Sequence, residues 1–320
     1  MANQFDLLNK ELFSHPEFVQ QLLEGFTSKE ISRLLDYSTL KLHSGNYITP
    51  LLNEKIEDLV WSVQMLPQPS DKPHKKPTEL YLYILLEFQS SRDKTMPLRM
   101  LHYTASFYHH LLKEKKLNLN KNKLPPVFPI VLYSGDKKWQ IATEIQKLIQ
   151  PVPAFMKPFL PQQKYFLIEE QSYSFEDLEE INSPLSGTLA VKKTKASTDI
   201  ERAINLLVKA ALQSPDFERI QRIVVRWFKQ HLKASKIDIN LEHINELEEI
   251  NTMSKTLKDY LMEEGREEGL KEGLEKGRLS FAKEAVLNLH RNGQMAAKQI
   301  ASLLQLPLDE VNNILKQNPA

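Results

Sequence analysis

The stretch ELYLYILLEFQSS, residues 79–91, decides how this chain folds. Apolar and aromatic residues fill positions 80–86, the run ends on Glu87, and Gln89 follows two positions on. A short run of this composition predicts a buried strand. A carboxylate at the end of such a strand is costly unless a hydrogen-bond donor, an arginine or a metal ion compensates it.

Working outward, residues 57–65 (EDLVWSVQM) predict a second strand that carries Asp58, with a further short strand at Tyr47-Ile48. The polar, proline-rich PQPSDKPHKKP between 57–65 and 79–89 predicts a loop, so the two strands should pair as a hairpin. If the register brings Asp58 and Glu87 to one face, two carboxylates meet, repel, and raise the pKa of one of them. A divalent metal removes that conflict. Hard oxygen ligands suit Mg2+ first, with Ca2+ or Mn2+ also acceptable, and the Phe88 carbonyl is an additional donor. A metal held there would activate water and stabilise charge on a phosphate. Gln89 shares the face of Glu87 by strand alternation, which suits its amide to orienting water or a phosphate oxygen. The plain alternative is a solvated glutamate where a strand reaches the surface.

Apolar residues at helical spacing over 5–25 predict a helix broken at His15-Pro16, where a second one begins. Residues 27–36 predict a short helix capped by Ser28, and 96–115 a longer one. Residues 127–133 and 165–168 are apolar runs expected as buried strands. This order predicts an α/β fold, a mixed sheet flanked by helices, with an all-α C-terminal extension. The small and charged residues of 187–198 mark the expected boundary. The organisation is then a core over 1–190, a helical region over 198–258, and a terminal arm and module over 259–320.

The arm contains EEGREEGLKEGLEKG, with Gly265, Gly269, Gly273 and Gly277 four apart. Each internal glycine costs a helix about 1 kcal/mol relative to alanine, so a weak, fraying helix is expected. Glycine at that spacing also admits a second helix closely, which makes the arm a candidate for homo-oligomer formation. The final segment, AAKQIASLLQLPLDEVNNIL, predicts two short helices around Leu306-Pro307. Its second helix offers no arginine to base edges, so a packing or docking module is expected.

The chain has no cysteine, which excludes disulfides, thiol nucleophiles and cysteine-ligated zinc. Its first residues lack the pattern of a signal peptide, and no apolar run is long enough to span a membrane, so a cytoplasmic protein is expected. The net charge is only +1, but residues 92–147 hold 11 Lys/Arg against 4 Asp/Glu. Such a basic sector, with Lys113, Lys115, Lys116, Lys121 and Lys123 at its centre, suits the phosphate backbone of DNA. A solvated lysine-rich surface is the competing reading.

YLYILLEFQSSRDKTMPLRMLHY followed by LPPVFPIVLYSG resembles the recombination-promoting nuclease family, also catalogued as putative transposases. DLLNKELFSHPEF and EDLVWSV match that family in the same order, so the resemblance spans about residues 5–170. It implies a restriction-endonuclease-like PD-(D/E)xK core and metal-dependent DNA endonuclease activity. Asp58 and Glu87 fall on the metal-binding acids, and Gln89 falls on the position of the superfamily's lysine, where this family commonly has glutamine. Asp6 and Lys10 match an Asp-x-x-x-Lys pattern, although the aromatic usual at Asn9 is absent. The resemblance makes Asp6 a further carboxylate and Lys10 a phosphate contact. Arg99 and Tyr103 match Arg-x-x-x-Tyr, as phosphate ligands or as a brace for Glu87. A module that keeps this fold, binds DNA or protein, and does not cut is the alternative.

Overall fold

The computed structural model describes residues 4–43, 59–66, 79–87 (backbone), 92–114, 117–120, 123–135, 137–194, 197–237 and 239–317. Two helices, α1 (Gln4–Phe13) and α2 (Pro16–Phe26), open the chain, separated at His15 as the Pro16 signal predicts. Proline fits a first helical turn because the amide it lacks has no partner there. A single turn, α3 (Lys29–Ser32), follows. The sheet is then built from β1 (Leu35–His43), β2 (Leu59–Met65), β3 (Glu79–Glu87), β4 (Val127–Tyr133) and β5 (Phe166–Glu169), with α4 (Met96–Lys113) between β3 and β4.

The five strands lie in sequence order. β1, β2 and β3 are antiparallel neighbours, with Leu59 opposite Ile84, whereas β3, β4 and β5 run parallel. The sheet is therefore mixed, as expected. β3 and β4 can be parallel because α4 carries the chain back across the sheet. Alternation on β2 separates the two faces. Val60 packs into a cluster with Met96, Met100, Tyr103 and Phe107 of α4 and with Val131 and Tyr133 of β4. Its neighbour Trp61, 2% exposed, donates from Nε1 to the Phe13 carbonyl at 3.1 Å and so ties the sheet to the end of α1.

Two expectations are corrected. Residues 35–43, partly expected as helix, form β1. This strand is only half-buried and its register is broken between Asp36 and Lys41, so its sequence shows no clean alternation. Gly187, expected to begin a boundary loop, lies inside α6 (Pro184–Lys193), which follows α5 (Phe175–Ile181). The small residues of α6 serve packing. A Cβ on Gly187 would stand 2.4 Å from the Cα of Leu207 on α7 (Ser197–Leu212). Next, α8 (Phe217–Ala234) packs on α1, α6 and α7. The Tyr47-Ile48 strand and the loop over 67–77 lie outside the described residues.

The chain forms two compact units, Met1–Lys255 and Thr256–Ala320, divided inside the 45-residue helix α9 (Leu247–Arg291). In the second unit, every described residue of 262–281 is exposed. The helix runs unbroken through the four glycines, supported by charged pairs such as Lys276–Glu272 at 2.9 Å. The expected fraying is absent from its geometry. The glycine penalty acts on stability, and helix dihedrals are open to glycine. Val286, Ile300 and Val311 then bury one another where α9 meets α10 (Ala297–Leu304) and α11 (Leu308–Gln317), the two short helices expected around Pro307.

Two substitutions test these packings. Gly187→Ala forces α6 away from α7 and should lower stability by about 1–3 kcal/mol or more, the range for overpacking, read as a fall in Tm. The exposed arm should respond in the opposite sense. A Cβ at Gly265, Gly269, Gly273 or Gly277 meets nothing within 4 Å. Replacing all four by alanine should raise helicity by circular dichroism, each contributing about 1 kcal/mol of helix propensity.

Candidate functional site

Parallel β3, β4 and β5 bring three C-terminal ends level. The Cα atoms pair Glu87 with Tyr133, and Tyr133 with Glu169. Ligand sites in open α/β sheets form beyond the carboxyl ends of the strands. Immediately past this line, Ser134 extends β4 and Glu170 extends β5.

Glu170 is 3% exposed, and both its oxygens accept from Lys192 Nζ of α6, at 2.8 and 2.6 Å. The same ammonium lies 3.4 Å from Ser134 Oγ and 3.4 Å from Asn9 Oδ1 of α1. Asn9 is itself 3% exposed. Four segments, α1, the end of β4, the end of β5 and α6, thus meet on one half-buried cation. On α8, the His231 ring stacks on Trp227 with centroids 5.0 Å apart and planes 9° from parallel. Burial, reinforced by the charge of Lys192, pushes the His231 pKa down from 6.5 to about 4. An imidazole in that setting is neutral at neutral pH.

Around the start of α4, Arg99 makes a 2.6 Å ion pair with Asp93 and donates from Nε to Tyr103 Oη at 3.2 Å. Burial opposes the charge on Asp93, but hydrogen bonds from Thr95 and Arg99 hold its carboxyl below the ordinary value. Tyr103 is 2% exposed, in the core beneath α4. Arg99 and Tyr103 therefore touch each other, as their spacing of four predicts.

Of the remaining expected residues, Glu87 is the last residue of β3. Asp6 and Lys10 lie in α1, the latter half-buried, and Lys113 closes α4 on an exposed turn, with Lys123 also exposed. Asp58, Phe88, Gln89, Lys115, Lys116 and Lys121 lie outside the described residues. Among the described residues, no group of three or more His, Asp or Glu gathers as a metal site. No helix among them is long and apolar enough to cross a membrane.

Sequence reasoning missed Ser134, Glu170, Lys192 and His231, and took Asn9 only as a departure from a pattern. One signal was present. FLIEE in residues 166–170 repeats the apolar-run-into-glutamate pattern of residues 82–87, two strands further across the sheet.

The model of the "Putative transposase, YhgA-like" family matches residues 3–221. The recombination-promoting nuclease RpnC of Escherichia coli (strain K12) is 33% identical over 131 residues, covering 41% of this chain and 39% of the relative. RpnA of the same strain is 30% identical over 131 residues, with the same shares. The inactive recombination-promoting nuclease-like protein RpnE is 27% identical over 136 residues, 42% of this chain and 40% of the relative. The matched part spans about two fifths of the length of each of these relatives. No solved structure matches the chain.

The His231 environment sets a pH dependence. Below pH 6.5 the unfolded chain takes up a proton that the folded chain refuses until about pH 4. The stability linked to this group is therefore complete above pH 6.5 and is lost as pH falls towards 4. Between pH 7 and 4.5, Tm should fall more steeply for the wild type than for His231→Phe, as thermal melts across that range would measure.

Proposed function

The chain belongs to the YhgA-like putative transposase family, and from that premise we propose that it is a metal-dependent DNA endonuclease with a PD-(D/E)xK core. The observation that carries this reading is the position of Glu87. It ends the central strand at the carboxyl edge of three parallel strands. The likeness to relatives named as nucleases supports the same reading. So does the sheet itself, antiparallel over β1–β3 and parallel over β3–β5, with α4 as the crossover.

In this reading Asp58 and Glu87 hold one divalent ion, with Mg2+ the best match to two carboxylates and a backbone carbonyl. When bound, such an ion lowers the pKa of water and offsets charge on the phosphate. The chain's own residues do the rest. Gln89 orients the attacking water through its amide, without the positive charge a lysine would bring. Asp6 and Lys10 extend the site from α1, while Lys113, Lys115, Lys116, Lys121 and Lys123 follow the DNA backbone. Water adds to phosphorus, the bond to the leaving oxygen breaks, and that oxygen ends protonated.

A second reading has a specific observation behind it. A relative named inactive matches at 27% identity, close to the relatives named as nucleases. That likeness supports reading this chain as a module that does not cut, and that binds DNA or protein instead.

Supercoiled plasmid separates the two. The wild type should nick or linearise it with Mg2+ and not with EDTA. Asp58→Ala and Glu87→Ala should abolish cutting while the thermal melt is retained. Gln89→Ala should lose about 10²-fold or more in single-turnover rate, the scale of one positioned catalytic group, and Gln89→Lys should keep or raise activity. A folded wild type that shifts DNA in a gel and cuts none with Mg2+, Mn2+ or Ca2+ would establish the non-cutting reading.

A further inference from the structure

Between β4 and β5 the chain turns outward with residues that composition would send inward. Phe155 and Phe159 are 72% and 78% exposed, and every residue from Pro153 to Phe159 lies open to solvent. Exposed apolar residues scattered singly need no explanation. Two phenylalanines with Met156 between them, on the one short 3-10 helix Ala154–Phe159, form a patch. The loop that carries them is closed at its base. Ile145 donates to the Gln163 carbonyl at 3.1 Å, Tyr165 donates to the Thr143 carbonyl at 3.1 Å, and the Gln163 amide donates to Thr104 Oγ1 of α4 at 2.9 Å. Pro151, Pro153, Pro158 and Pro161 fix the backbone along the way. The two rings are thus held out on a stiffened loop, the kind of element that serves recognition.

Charge selects the partner. Residues 145–164 carry Lys147, Lys157 and Lys164 and no Asp or Glu. Lys157 stands on the same 3-10 helix, between the two rings. Lysines interleaved with aromatic rings complement a chain that alternates phosphates with flat bases. In a duplex the base faces are already stacked and a ring must pry them apart, whereas an unpaired strand presents them at no such cost. The loop also stands on the side of the sheet where the candidate site lies. Its first turn, Ile145–Leu148, packs on α4. That helix covers the sheet face that carries Tyr133, the residue paired with Glu87.

We propose that Phe155 and Phe159 stack on the bases of an unpaired stretch of DNA, with Lys147, Lys157 and Lys164 along its phosphates. The inference rests on the DNA-binding part of the reading above. It adds a second contact surface, and with it a preference for single strands that the Glu-x-Gln motif does not supply.

The test is fluorescence anisotropy with a short dye-bearing oligonucleotide, single-stranded or annealed as a blunt duplex, in EDTA so that no cleavage enters. The wild type should bind the single strand more tightly. Phe155→Ala/Phe159→Ala should lose about 30-fold or more in single-strand affinity, about 5-fold or more for each stacked base, and far less for the duplex. Both side chains are exposed, so its thermal melt should match the wild type. Phe155→Trp/Phe159→Trp should keep the affinity, with its added indole emission quenched as the strand binds. Phe155→Leu/Phe159→Leu keeps apolar area without a ring face and should behave like the alanine variant. Wild-type single-strand affinity in the alanine or leucine variant overturns the proposal, as does an equal loss for both DNA forms. So does a wild type that binds anionic phosphatidylglycerol vesicles through these rings and no oligonucleotide. Plasmid cleavage in Mg2+ is scored separately, so each of these failures leaves the nuclease reading to its own result.

Discussion

Parallel pairing of β3, β4 and β5 is the constraint on which the rest of the first unit depends. Strands that run in the same direction must finish on the same side of the sheet. That requirement sends α4 back across one face and returns each chain end to one edge. Backbone groups beyond that edge no longer have a ladder partner, and polar side chains collect there. Glu87, Ser134 and Glu170 are therefore neighbours because of topology, although 83 positions separate the first from the last. An all-antiparallel arrangement would have scattered them to opposite ends.

The edge is closed by elements that arrive from both directions along the chain. α1 contributes Asn9 and is held to the sheet by the Trp61 indole, which donates to the carbonyl of Phe13. α6 contributes Lys192, and Gly187 lets that helix press against α7. α8 packs behind both and brings His231, whose neutral ring adds no second positive charge next to Lys192 at neutral pH. The polar cluster is thus a product of helix packing as much as of strand order. A change of packing far from Lys192 would be felt there.

Elements with one strong period were legible in the sequence. α2 places Phe18, Val19, Leu22, Leu23 and Phe26 on one buried face, and VFPIVLY can only be an interior strand. β1 was not legible, because an irregular edge strand exposes residues on both faces and loses the alternation that would betray it. α6 was not legible either. Its glycine, serine and alanine are what close helix contact requires, and the same residues read as a loop when the partner helix is unknown. The site divides in the same way. Glu87 announced itself through local contrast, a charge closing an apolar run. The contact between Asn9 and Lys192 spans 183 positions and has no local signature at all.

The break in β1 has a consequence for how this protein behaves among its own copies. Between Asp36 and Lys41 the strand takes five steps while β2 takes two. In that gap the Thr39 hydroxyl, in place of a backbone carbonyl, accepts the Gln64 amide at 2.8 Å. A strand kinked in this way, with Asp36 and Lys41 at the kink, offers no straight row of amides and carbonyls to an incoming chain. The opposite edge, β5, is only four residues long. Both margins of the sheet are therefore poor templates for strand addition. Among the described residues, the irregularity of one border and the brevity of the other leave a sheet with so hydrophobic a central strand little straight edge for another chain to pair with.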